Sequence, residues 1–131
     1  QELSASPTSV QSANADIDYG QIPGHATSAA DAVKACVQSL LKSKHPTWVQ
    51  LLRELWPPEW QGKYSCPVVL LVMSLYGHPE AGARWYAHLE KVIREELHGE
   101  PVDGHPSSFW IPEMLIVLTV HVDDVLIRTR D

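Results

Sequence analysis

The stretch that decides the fold is Met114–Val120, MLIVLTV, followed by His121-Val122-Asp123-Asp124 and then by Val125–Asp131, VLIRTRD. Two apolar, β-prone runs flank a short polar break, a pattern that predicts an antiparallel strand pair joined by a tight turn. The break puts adjacent carboxylates, Asp123 and Asp124, at the hairpin tip. Like charges held close repel, and a divalent cation removes that penalty. Mg2+ suits such a place because it takes a few carboxylates and keeps positions for water and substrate phosphates. A third carboxylate from a separate segment would complete a two-metal phosphoryl-transfer site, with ions about 3.5–4 Å apart. Asp31, at an element boundary, is the candidate. The residues alone leave the plainer alternatives open: Asp-Asp is common turn chemistry, and Asp31 could be only a helix cap.

Outward from this hairpin, the bulk numbers suit one domain. The chain has 131 residues, 44% of them hydrophobic. No apolar run is long enough for a membrane-spanning helix, so no membrane partner is expected. The first residues, QELSASPTSV, lack the basic and apolar regions of a secretory leader. The two cysteines, Cys36 and Cys66, show no metal-binding spacing and are read as reduced thiols of a protein that is not secreted. A net charge of −6 counts against independent nucleic-acid binding, because neutralising phosphate takes Lys and Arg. A nucleic-acid role therefore needs basic surface from elsewhere, or metal ions between acid and phosphate.

Residues 1–28 are polar and small, with Gly20, Pro23 and Gly24, and read as a loop or weakly ordered arm. From Ala29 to Lys44, Val33, Val37 and Leu40/Leu41 recur at helical spacing and predict a helix closed by Pro46. Thr47–Leu52 is β-prone, and the Trp56-Pro57-Pro58-Glu59-Trp60 tract is too stiff for a central strand. Val68–Met73 is a continuous apolar run and predicts a buried strand. The clearest helix spans Pro79–Leu97, with Ala81, Trp85, Leu89, Val92/Ile93 and Leu97 on one stripe and Gly99 placed to end it. Trp85 on that stripe reads first as core and only second as a base-stacking ring. The expected fold is α+β: a small antiparallel sheet bearing the acids, backed by two helices, at 79–97 and near 32–44.

Several segments together resemble the reverse transcriptase of copia-type retrotransposons. HVDD between its apolar runs resembles the YVDD signature of that family. SLYGHPEAGARWYAHLEKVI (74–93) resembles the family segment that reads LYG, a short variable stretch, Ala, then Trp and a helix. DAVKACVQ (31–38) resembles the metal-binding motif D-V-x-x-A-[FY]-L-[NQ]; TWVQLLRELWPPEW (47–60) and PVDGHPSSFW (101–110) look like the family stretches after that motif and before the last strand pair. The blocks stand in family order and cover residues 31–131; from Ser6-Pro7 to Ala30 the likeness is to the end of the fingers region. The resemblance implies a partial palm domain over 29–131, with 1–28 as an arm or the end of the fingers, and without full fingers or thumb. It implies an RNA-directed DNA polymerase in which Asp31, Asp123 and Asp124 bind two Mg2+ (or Mn2+) ions. It places Cys36, Tyr76 and Gly77 near the incoming nucleotide or template. RNA template, DNA primer, deoxynucleoside triphosphates and the rest of the Pol polyprotein are the implied partners, in a cytoplasmic virus-like particle or the nucleus. Such a fragment is not expected to polymerise DNA alone.

The sequence also departs from the family. Cys36 stands where a Phe or Tyr ring normally crowds the sugar 2′ position, which implies weak exclusion of ribonucleotides. Glu80 replaces a common Gln and reads as a helix N-terminal acid rather than a ligand. His121 replaces Tyr, and lining the hairpin is the plainer role for it. His78 reads as structural. Two other functions compete: an inactive transposon remnant, and an interaction module presenting the Trp56–Trp60 tract.

Overall fold

The computed structural model describes residues 10–130. An antiparallel sheet of five strands, in the order β1-β7-β6-β5-β4, forms the body. The strands are β1 (His25–Asp31), β4 (Glu100–Pro101), β5 (Ser108–Ile111), β6 (Ile116–His121) and β7 (Asp124–Arg130). A separate two-stranded sheet joins β2 (Trp48–Gln50) to β3 (Val68–Leu70). The α-helices are α1 (Val10–Gly20) and α2 (Ala81–Glu96). The coarse expectation, an antiparallel sheet with two helices, matches this architecture.

The hairpin forms as its pattern predicts. β6 and β7 pair from Ile116↔Thr129 to His121↔Asp124, leaving Val122 and Asp123 as the turn. Period-two alternation sends Phe109, Ile111, Leu118 and Val120 to one face, where Ile93 of α2 completes a buried cluster. Each such side chain, fully buried, contributes roughly 1.5–3 kcal/mol. α2 follows its 3.6-residue stripe and spans two clusters. Ile93 packs on the sheet, Ala81 and Trp85 pack on Ala35 and Cys36, and Leu89 touches both. At its C-terminal end His98 takes the left-handed conformation (φ 53°), and the Gly99 N–H donates to Ile93 O at 2.9 Å. Gly99 is needed there for space rather than for its φ, since a Cβ would collide with the Ile93 side chain.

Three expectations are corrected. The helix predicted over Ala29–Lys44 does not form: β1 runs to Asp31, and only a 3-10 turn, Ala35–Gln38, follows. Other partners take the backbone. Ala32 N–H donates to Asp123 O, Leu41 N–H to Val72 O, and Ser39 O accepts from Ser74 N–H. Lys34 is left-handed at φ 57°, and Val33, Val37 and Ser39 are indifferent helix formers. The second helix is instead α1, inside the span read as a loop or arm; residues 1–9 of that span lie outside the described residues. The apolar run from Val68 is not buried either. Its strand covers only Val68–Leu70, and Val68, Leu70 and Val72 are exposed beside Trp48. The Trp-Pro tract folds back on itself: Trp56 Nε1 donates to Leu51 O at 3.0 Å, and Trp60 meets Tyr64 edge-on at 5.9 Å.

Candidate functional site

β1 is built from small and polar residues, HATSAAD, and gains its strand conformation from pairing along all of β7. The register sets Asp31 directly opposite Asp124, and Asp124 opposite His121. Residues directly opposite one another project to the same side of a sheet, with Cβ atoms about 4.5–5.5 Å apart. Asp31, Asp124 and His121 therefore form a row across three strands at one end of the sheet, on the face opposite the Phe109–Leu118 cluster. All three are exposed. Asp123, in the turn, is half-buried, and its carbonyl accepts the Ala32 N–H at 2.9 Å. That bond ties the turn to the residue after Asp31.

The turn holds an unusual backbone. Val122 has φ 58°, a region that β-branched residues avoid, and its side chain is 62% exposed. The Trp85 indole Nε1–H donates to Val122 O at 2.7 Å. Trp85 is buried among Ala35, Cys36 and Ala81, so its ring is core and is not free to stack a base.

Cys36 is buried against Trp85. Burial pushes its thiol up, and the negative charge of Asp123 pushes it further. Position 36 thus lies within electrostatic reach of Asp123, with its side chain turned into the core. Cys66 is exposed, and both thiols are free. Tyr76 is exposed and Gly77 has φ 89°; they belong to the turn that leads into α2, at the end of the helix bearing Ala81 and Trp85. Glu80 accepts from Arg84 Nη2 at 2.9 Å and from Ser43 Oγ at 3.0 Å, and these bonds hold its carboxyl below the usual range. It is committed to clamping the 42–43 loop onto α2, since Arg84 also donates to Lys42 O. His78 Nδ1 accepts from Glu80 N–H, which leaves Nε2–H to donate to Thr47 Oγ1 at 3.1 Å.

Farther along the acid-bearing face lies Arg128, 2% exposed, opposite Thr27 and close to Gly20 at the end of α1. Among the described residues its Nε and Nη1 have no partner. Sequence reasoning overlooked Arg128, although a lone basic residue within the apolar VLIRT run was a signal. It also missed the Trp85–Val122 bond, for which the sequence carries none.

Metal fit follows from this donor set. Mg2+ is content with one or two protein carboxylates and fills its shell with water and phosphate oxygens. The opposed Asp31 and Asp124 are carboxylates, the donor type such an ion takes. Among the described residues, no three His, Cys, Asp or Glu side chains already stand together as a group that could hold an ion. No described helix is long and apolar enough to cross a membrane. No family model, curated protein or solved structure matches the chain.

Proposed function

We propose that the chain is the palm portion of a copia-type reverse transcriptase, an RNA-directed DNA polymerase within a larger Pol polyprotein. The observation that carries this reading is the pairing of Asp31 with Asp124 beside Asp123, joined by the Ala32–Asp123 backbone bond. Two segments that resemble separate family motifs thereby meet at one place. Asp31, Asp123 and Asp124 would hold Mg2+ or Mn2+, which when bound supplies positive charge for a primer 3′-hydroxyl and a leaving pyrophosphate. Asp31 and Asp124 stand at one end of the sheet with Asp123 in the adjoining turn, and Trp85, packed on Cys36, donates to Val122 O of that turn. Tyr76 and Gly77 would contact nucleotide or template. Template RNA, primer DNA and deoxynucleoside triphosphates would bind largely through ions and through basic surface elsewhere in the polyprotein, as the net charge of −6 requires. The site of action would be a cytoplasmic virus-like particle or the nucleus.

One observation favours a second reading, an inactive remnant: the acids are not already assembled into a ligand group of three. Mn2+ titration followed by electron paramagnetic resonance separates the two. A working site binds Mn2+ saturably, and Asp31→Asn or Asp124→Asn each weakens binding by about tenfold or more, since a hard-cation site depends on its charge count. Wild-type protein without saturable binding would assign the chain to the remnants.

A further inference from the structure

We infer that Trp85 is a positioning residue that fixes the Val122–Asp123 turn against the segment following Asp31. Its effect on metal affinity rests on the metal reading above; its effect on the turn does not. Trp85 lies in the first half of α2 and is 4% exposed. Its ring packs on Ala35 and Cys36, the 3-10 turn just after β1, and His88 covers it with ring centroids 5.8 Å apart. A buried indole N–H needs an acceptor. The acceptor it has is the carbonyl of Val122, at 2.7 Å.

That carbonyl belongs to the residue before Asp123, and it needs an outside hold. The Val122 side chain is exposed and cannot anchor the turn by burial, and its positive φ is unfavourable for valine. The next carbonyl, Asp123 O, accepts from Ala32 N–H at 2.9 Å. One side chain thus touches both acid-bearing segments, one by apolar contact and the other by a hydrogen bond. The acceptor is a carbonyl of the hairpin turn, so the bond ties α2 to the hairpin tip.

Trp85→Phe keeps an aromatic ring and removes the donor. The experiment compares this variant with wild type in the full chain. It measures amide hydrogen exchange at Ala32, which reports the turn, and at Val120, whose N–H donates to Ser107 O at 2.9 Å and reports the sheet. Mn2+ affinity is measured on both proteins. Ala32 exchange is expected to rise by about fivefold or more relative to Val120, the ratio one net hydrogen bond supports, with weaker Mn2+ binding. Equal changes at the two amides, or none, would overturn the inference. If Ala32 alone loosens while wild-type protein binds no Mn2+, the positioning role stands and the metal reading falls. Should the variant fail to fold, indole N–H exchange in the wild type decides. Slow exchange at Trp85 supports the bond, and exchange as fast as that of exposed Trp48 contradicts it.

Discussion

Asp31 and Asp124 are direct partners across the β1–β7 ladder, so segments far apart in the chain place two carboxylates on one face. Nothing in local sequence requires this. It follows from β1 pairing along the whole of β7, which runs out of the β6–β7 turn. Like charges directly opposite on a sheet are destabilising, so the arrangement costs stability unless something positive sits between them.

Removing one charge should therefore act in opposite directions with and without metal. In chelator, Asp31→Asn is expected to stabilise the fold by about 0.2–1 kcal/mol, read as a raised urea midpoint. In saturating Mn2+ the wild type should overtake it, because a ligand bound only to the folded state adds stability. A variant less stable than wild type in chelator would show that Asp31 has a structural role of its own.

Arg128 is a buried cation whose Nε and Nη1 lack partners among the described residues. Burying a charge without full pairing is costly, and an apolar side chain of similar length often does as well or better. Arg128→Met should leave stability unchanged or raise it by about 1 kcal/mol or more. A loss of that size in chemical unfolding would mean that the guanidinium is well paired in solution.

The two thiols should differ sharply. Cys36 is buried and its thiol is pushed up, first by burial and then by Asp123; Cys66 is exposed. Only the thiolate is alkylated readily. At pH 8 iodoacetamide should modify Cys66 about tenfold or more faster than Cys36, and Asp123→Asn should speed the reaction at Cys36. Because the folded chain holds the Cys36 proton more tightly than the unfolded chain does, this stability is present below the ordinary thiol value of 9.0 and is lost as pH rises through the raised folded value. Equal alkylation rates in the native protein would contradict the buried placement.

Legibility followed strength of pattern. The β6–β7 hairpin and α2 were readable because two β-branched runs and a 3.6-residue stripe each admit one arrangement around a core. β1 was not readable from composition, since His25–Asp31 has no apolar alternation and becomes a strand only through β7. The false helix over 29–44 arose from Val33, Val37 and Leu40 standing at helical spacing; in the fold Val33 is 72% exposed and nearby backbone groups bond to the turn and to 72–74. The exposure of Val68 and Leu70 was hidden because an apolar run does not say what covers it. At the site, the aspartates were legible by type. Their register, the positive φ of Val122 and the bond from Trp85 are tertiary facts that no short window contains.

The most direct test is crystallography of the full chain grown with Mn2+, locating the ion by its anomalous scattering. An ion coordinated by both Asp31 and Asp124, with water completing its shell, is the expected result. Crystals in which Mn2+ occupies other sites while that carboxylate pair stays free of metal would contradict the proposed centre.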